Sequence, residues 1–450
     1  MAYQPTQLEI VPEIEERSEA EDWTFNGAST RELTHCYHDY PARMIPQVAR
    51  KLLQLYVSDD SKLLLDPYCG TGTSLVEGMT RGLNVVGTDL NPLARLIAEA
   101  KTTVYDPGAL DKYISKFNRH IVKNHEAKHK SAWQVDGIAR LHFWFKPSVI
   151  GKLSAIKEFV WNIPDEKVKG FFKVAFSETV RESSNTRNGE FKLYRYNEET
   201  LKRFNPDPYA IMAQKLERNR LGFAKWLGMV SQYHQPPKSS VMDFNTVNGI
   251  PEESVAPGSV DIVVTSPPYG DSHTTVAYGQ YSRLSSAWLG FEEAGKVDSA
   301  LMGGKIHAKT IPEFPSAELN EALTEIARSD EKRAREVASF YIDYLNSIEN
   351  VAKAIKVGGY ACYVVGNRKV KGVVLPTDIV TKDFFLNSGF DYVTTFYRSI
   401  PNKRMPLKNS PTNAVGKVDS TMVQERIVVM KKKGLRALPM KPGRVRAARK

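Results

Sequence analysis

An apolar run that ends on two prolines constrains this chain more than any other stretch. Val260-Asp261-Ile262-Val263-Val264 reads as a buried strand, and Thr265-Ser266-Pro267-Pro268-Tyr269-Gly270 follows it directly. Two prolines stop a strand's hydrogen-bond ladder and hold the backbone extended. Their carbonyls have no neighbouring strand to bond and can accept hydrogen bonds from something else. Ser266 adds a hydroxyl, and Tyr269 adds a flat ring with a polar tip. A rigid acceptor pair beside an aromatic plate suits a planar ring that carries an exocyclic amine, such as a nucleobase. Taken alone, the stretch is equally well a proline-rich strand exit with a packed tyrosine, and the upstream sequence decides between the two.

Leu63-Leu64-Leu65 is a short apolar run that leads into Asp66-Pro67-Tyr68-Cys69-Gly70-Thr71-Gly72-Thr73, and Ser74 to Arg81 reads as a helix. A strand, a glycine turn and a helix N-terminus form a nucleotide-binding corner. Glycines let the backbone approach a ligand closely, and the helix end offers free N–H groups. The next strand, Asn84 to Thr88, ends in Asp89-Leu90-Asn91-Pro92. An acid at the tip of the second strand is where a ribose diol is held in such corners. The third glycine of the dinucleotide fingerprint is absent, which argues against a nicotinamide or flavin cofactor.

The alternation of strand and helix pauses over residues 106–238, with amphipathic pieces at Leu110–His125 and Val149–Trp161. This stretch holds a turn-rich segment with Arg181, Arg187, Lys192 and Arg195, side chains of the kind that meet phosphates and base edges. By composition alone it is a solvated loop, but long insertions into a scaffold often carry recognition. Alternation resumes at Ser239–Asp243, a third strand ending in an acid. Val260–Val264 is the fourth. Gly359–Gly366, Tyr392–Tyr397 and Glu425–Met430 supply three more, with a helix over Lys332–Lys356. Residues 272–340 read as a second stretch with loops, including Tyr278, Tyr281, Arg283 and Trp288. Arg404 sits in a basic loop, Pro401–Pro406.

Charge and composition bound the partners. The 450 residues are 42% hydrophobic and 25% charged, an ordinary globular composition, with a net charge of +11. Residues 1–22 read as a mobile acidic arm with seven acids and one arginine. Residues 431–450 form a basic tail of nine Lys or Arg and no acid, which leaves a net +8 on residues 23–430. A basic body favours a polyanionic partner. No apolar stretch is long enough to cross a bilayer, and no basic-then-apolar leader opens the chain, so a cytoplasmic location is expected. Cys36, Cys69 and Cys362 do not make a disulfide framework. His35 and His38 do not recur with cysteines at zinc spacing, so no metal is expected.

As a set, these motifs resemble the S-adenosylmethionine-dependent amino-methyltransferases of DNA, which methylate cytosine N4 or adenine N6, and among them the type II restriction–modification methylases. Asp66 to Thr73 resembles their cofactor motif, with Asp66, Tyr68, Gly70, Gly72 and Thr73 as its contact positions. Asp89 with Asn91-Pro92 resembles the acid that binds the ribose, and Asp243 the acid near the cofactor adenine. Ser266-Pro267-Pro268-Tyr269 resembles the catalytic motif, and Thr34 to Pro46 the segment that closes over the cofactor. Serine at the first catalytic position resembles the cytosine-N4 members, where others carry Asp or Asn.

The resemblance implies an α/β fold, a Rossmann-like seven-stranded sheet with helices on both faces, its last strand antiparallel, and an inserted recognition region. The corresponding division is residues 23–105 and 239–430 for the methyltransferase domain and 106–238 for target recognition, with 272–340 departing from the simplest layout. S-adenosylmethionine as cofactor, double-stranded DNA as substrate and a cognate restriction endonuclease as partner are implied in the same way. Cytosine-C5 chemistry is disfavoured, because it would use a cysteine after a proline and none of the three is so placed. The alternatives are adenine-N6 methylation, an RNA guanine-N2 methyltransferase with the same Asp-Pro-Tyr-Cys-Gly-Thr-Gly corner, and a non-catalytic DNA-binding module. Serine at 266 and no obvious separate RNA-binding domain ahead of the corner argue against the RNA enzyme. The intact set of Gly70, Gly72, Asp89 and Ser266 argues against the non-catalytic module.

Overall fold

The structure is a computed structural model that describes residues 22–41, 43–124, 135–187, 192–270, 278–292, 300–400 and 424–434, and the short pairs 408–409 and 419–420. Seven strands build one sheet. They are β1 (Leu63–Asp66), β2 (Asn84–Thr88), β3 (Ser239–Met242), β4 (Val260–Thr265), β5 (Ile355–Val365), β8 (Phe390–Ser399) and β11 (Gln424–Lys432). A small hairpin, β6 (Arg368–Val370) and β7 (Val373–Leu375), and the pair β9 (Lys408–Asn409) and β10 (Asp419–Ser420) stand apart from it. The order across the sheet is β3-β2-β1-β4-β5-β11-β8. Neighbours from β3 to β5 are parallel, and β11 inserts antiparallel between β5 and β8. All seven strands foreseen from the sequence are present, and the last is the antiparallel one.

The strands alternate between two cores with the period of a pleated sheet. Leu64, Val85, Ile262, Val264, Cys362, Val364, Ile427 and Val429 face one side. Leu65, Val86, Val263, Tyr363, Val365, Val428 and Met430 face the other. Strands buried on both faces read as continuous apolar runs, which is why Leu63–Leu65 and Val260–Val264 are so short and so apolar.

On the first face lie α1 (Pro46–Tyr56), α2 (Thr73–Met79) and α3 (Pro92–Thr102). The helices of the insertion are α4 (Pro107–Asn124), α5 (Leu141–Trp144), α6 (Pro147–Trp161), α7 (Glu166–Ser183), α8 (Glu198–Arg203) and α9 (Pro208–Val230), of which α4, α6, α7 and α9 share the core on that face. Helix α10 (Tyr278–Leu289) joins the same side. The second face is covered by α11 (Ala317–Ser329), α12 (Glu331–Ala354) and α13 (Thr377–Asn387).

One stretch differs from the sequence reading. Residues 278–289 are helical rather than looped, and Tyr281 and Trp288 are buried in the first core. These two aromatic residues are packing groups. The insertion shares that core. Phe171, Phe223 and Trp226 share a continuous core with Leu93 and Ile97 of α3. At Gly222 of α9, an added Cβ would lie 2.4 Å from the Leu33 carbonyl oxygen and 2.6 Å from Cys36 Sγ. Only a glycine lets α9 approach the segment Leu33–Tyr37 so closely.

All three cysteines are free and buried. Among the described residues, no helix is long and apolar enough to cross a membrane.

Candidate active site

The carboxyl ends of β1, β2, β3 and β4 converge at the edge where the strand order reverses, on either side of β1. Open α/β sheets bind their ligands at that switch point. One cavity occupies it. Tyr40, Arg43 and Met44 close it from the N-terminal side, and Tyr68, Gly70, Thr71 and Thr73 form its floor at the β1 tip. Asp89, Leu90 and Asn91 border it at the β2 tip, Phe244 to Thr246 at the β3 tip, and Ser266 and Pro268 at the β4 tip. Leu301 and Met302 reach it from the second inserted stretch.

Asp66 is the knot of the corner. Its Oδ1 accepts hydrogen bonds from Thr265 Oγ1 at 2.5 Å and from the Tyr68 N–H at 3.1 Å, and its Oδ2 accepts from Ser74 Oγ. One buried side chain thus ties the tips of β1 and β4 to helix α2. Burial pushes its carboxyl up to about 6, against the downward pull of those three hydrogen bonds. The two glycines of the turn do different jobs. Gly72 has φ +74°, and an added Cβ would sit 3.0 Å from Ala98 Cβ of α3, so it serves packing. Gly70 has φ +49°, and an added Cβ would meet nothing within 4 Å. That open direction lies at the cavity floor, where a ligand can approach the backbone.

Asp89 is held from below. Its Oδ2 accepts from the Gly70 N–H at 3.0 Å and its Oδ1 from the Asn91 N–H at 2.7 Å. Each oxygen keeps a lone pair for a further donor, the arrangement a vicinal diol needs. Burial raises its pKa, while the Asn91 and Gly70 N–H groups lower it. Asn91 lines the cavity, but its amide is committed. Its Oδ1 caps α3 through the Leu93 N–H at 3.1 Å, and its Nδ2 donates to Tyr40 Oη at 2.8 Å and Ser282 Oγ at 3.2 Å. It locks the β2 tip to the N-terminal closing segment.

At the β4 tip, Ser266 Oγ lies 3.0 Å from Tyr269 Oη, and Tyr269 Oη donates to Glu425 Oε1 at 3.1 Å. Ser266 and Pro268 border the cavity, whereas Pro267 is not among its lining residues. Tyr68 borders the cavity too, with its hydroxyl bonded to Ser347 Oγ of α12 at 2.5 Å.

Several sequence assignments change in three dimensions. Asp243 is exposed and does not line the cavity. Bonding to the β2 tip continues past it: the Asp89 N–H bonds the Met242 carbonyl at 3.2 Å and Thr88 Oγ1 bonds the Phe244 carbonyl at 2.6 Å, and Phe244 and Asn245 border the cavity instead. Arg181 is buried rather than presented to a partner. Its guanidinium lies 3.8 Å from the Tyr281 ring centre and donates to the Tyr281 carbonyl at 3.2 Å, so it braces α7 against α10. Arg195 is also engaged, donating to the Phe143 carbonyl at 3.0 Å and pairing with Glu198. Arg187 and Lys192 are exposed beside the bridge between Thr186 and Arg195. Arg404 lies outside the described residues.

Asp39, Glu178 and Glu182 bring carboxylate oxygens within 4.8 Å of one another, a spacing a cation could use. Arg218 and Lys215 already neutralise Glu178, Lys215 pairs with Glu182, and Arg31 pairs with Asp39. Glu425, Phe244 and Met302 are among the contributors that sequence reasoning missed. Each reaches the site through strand pairing or an insertion fold, and no local motif marks any of them.

The residues present fit an adenosyl ligand bearing an amino-acid tail. The Asp89 carboxylate suits a ribose, the Gly70 turn lets backbone approach it, and Leu90, Phe244 and Met302 supply apolar walls.

The chain is similar in sequence to known methyltransferases. A family model described as "RMKL-like, methyltransferase domain" matches residues 32–140. The type II methyltransferase M.MvaI of Kocuria varians is 42% identical over 425 residues, covering 90% of this chain and 93% of that protein. Two matches are local. The type II methyltransferase M.MjaII of Methanocaldococcus jannaschii is 36% identical over 98 residues, 21% of this chain and 18% of that protein. A tRNA (guanine(10)-N2)-dimethyltransferase of Methanothermobacter thermautotrophicus is 40% identical over 52 residues, 12% of this chain and 16% of that protein. A relative this similar over nine-tenths of the chain leads to one assignment. The chain belongs to the S-adenosylmethionine-dependent type II methyltransferases of restriction–modification systems.

Proposed function

We propose that this protein methylates the exocyclic amine of a flipped base in a specific duplex DNA site, with cytosine N4 as the target. In this reading it is the modification half of a restriction–modification system, with a cognate endonuclease as partner. The observation that carries the reading is the cavity shared by Asp89 and Ser266: a ribose-binding acid and an amine acceptor open onto the same space.

When bound, S-adenosylmethionine supplies an electrophilic methyl group on a sulfonium. The rest is positioning by the chain. An aromatic amine is a poor nucleophile because its lone pair is delocalised into the ring. Ser266 Oγ would accept an amine hydrogen and draw the nitrogen toward a pyramidal geometry, which frees the lone pair. The rigid Pro267-Pro268 backbone fixes this acceptor before the base arrives, so orientation supplies most of the rate gain. Tyr269 would stack on the base. A paired base cannot reach such a cavity, so it must leave the duplex.

Serine at 266 favours cytosine N4 over adenine N6. Target recognition is assigned to residues 106–238, with the exposed Arg187 and Lys192 as phosphate-facing groups, and to 272–340 as a second contributor. The guanine-N2 RNA reading draws on the shared corner and a 52-residue match that covers 12% of this chain. The test is to incubate the protein with cofactor and either duplex DNA or tRNA, digest to nucleosides and analyse by mass spectrometry. N4-methylcytosine in DNA is expected. N6-methyladenine would move the target base, and N2-methylguanine in tRNA would reject the reading.

A further inference from the structure

The catalytic serine does not stand alone at the β4 tip. Because β11 runs antiparallel, its first residues arrive at the edge of the sheet where the parallel strands end. Glu425 is thereby delivered beside Tyr269, 156 residues away in sequence, and accepts a hydrogen bond from its hydroxyl at 3.1 Å. The other carboxylate oxygen pairs with Arg398, its cross-strand neighbour at the end of β8. Tyr269 Oη also lies 3.0 Å from Ser266 Oγ. The four side chains form a row: Ser266, Tyr269, Glu425, Arg398.

The chemistry of the row fixes its direction. A carboxylate paired with a guanidinium only accepts hydrogen bonds. A phenol has one hydrogen, and Tyr269 gives it to Glu425. The Ser266 hydroxyl must then donate to Tyr269, and its own lone pairs are left facing outward. Reverse the row and Ser266 would accept from Tyr269 and present a donor to the substrate. An amine nitrogen needs the first arrangement, because it offers hydrogens.

We infer that Glu425 is a positioning residue that sets the catalytic serine as an acceptor and takes up the proton released in methyl transfer. The inference rests on the amine-methylation reading and deepens it. As the substrate nitrogen gains the methyl carbon and the carbon–sulfur bond breaks to a neutral thioether, the nitrogen becomes cationic and must lose one proton. That proton goes to Ser266 Oγ as the serine's own proton passes to Tyr269 Oη and the tyrosine's passes to Glu425 Oε1. Serine and tyrosine each gain one proton and give one. Glu425 keeps the last and releases it to water, which its 16% exposed side chain can reach. The motif has no carboxylate at position 266, and the last strand supplies one through the tyrosine.

The test compares Glu425→Gln, Glu425→Asp, Tyr269→Phe and the Glu425→Gln/Tyr269→Phe double variant under single turnover with saturating cofactor. The wild type must first give methylated DNA nucleosides; if it gives none, the reading of the substrate fails and not this row. Glu425→Gln and Tyr269→Phe are expected to slow the chemical step about 10²-fold, the range of acid–base assistance, with cofactor affinity unchanged. The double variant is expected to be no slower than the worse single one, since residues acting as a unit are non-additive. Glu425→Asp should recover part of the rate. A Glu425→Gln rate within about twofold of wild type, or single effects that multiply in the double variant, would overturn the inference.

Discussion

At the scale of single residues, the site separates groups that hold its shape from groups that face the ligand. Asp66 belongs to the first kind. Its folded pKa of about 6 lies above the ordinary carboxyl value of 3.8, so the folded state holds its proton more tightly than the unfolded chain. The stability it contributes is full below pH ~4 and is lost as pH rises through ~6, an effect of about 2–3 kcal/mol. An Asp66→Asn variant cannot titrate. Denaturant unfolding from pH 4 to 7 should show the wild type losing about that much relative to the variant, and parallel curves would contradict the assignment. Gly70 belongs to the second kind. Gly70→Ala incurs the left-handed backbone strain of roughly 1–2 kcal/mol. Its new methyl group points where nothing else lies within 4 Å. Calorimetric titration should show cofactor binding at least about tenfold weaker, with a folded protein by circular dichroism. The glycine turn, Asp66 and Asp89 stand at the cavity that their local motifs point to. The errors at Asp243 and Arg181 have one cause: residue type does not say which way a side chain points. Arg181 has the composition of a phosphate contact and the environment of a buried strut.

At the scale of elements, every sheet strand was legible from apolar runs bounded by turn residues, and the reversal of β11 was implied by family resemblance. What local pattern could not give was the fate of 278–289, where Tyr281 and Trp288 sit on a helix inside the first core. Glu425 was equally hidden, because its place follows from which strand lies beside which. The contact between α9 and Leu33–Tyr37 has the same tertiary origin. Gly222→Ala would drive a methyl group against the Leu33 carbonyl and Cys36 Sγ. Overpacking of this kind costs about 1–3 kcal/mol. Thermal unfolding should fall by roughly 2–6 °C, given the per-kcal shifts usual for domains somewhat smaller than this one. An unchanged midpoint would mean that α9 does not pack as described.

At the scale of the whole molecule, two distant parts of the chain, 23–105 and 239–432, build one sheet, and the helices between them complete its first-face core. The insertion is therefore structural as well as a proposed reader of DNA, and its share in the core, through Phe171, Phe223 and Trp226, was not visible from its polar turn. The arrangement puts Asp89 from one part and Ser266 from the other on a single cavity, the proposed ribose-binding acid and amine acceptor. The most direct measurement of that claim is cofactor affinity and single-turnover methylation for Ser266→Ala. The account predicts cofactor binding equal to wild type and methylation slowed by about 10²-fold or more. Undiminished methylation, or lost cofactor binding in a folded protein, would contradict it.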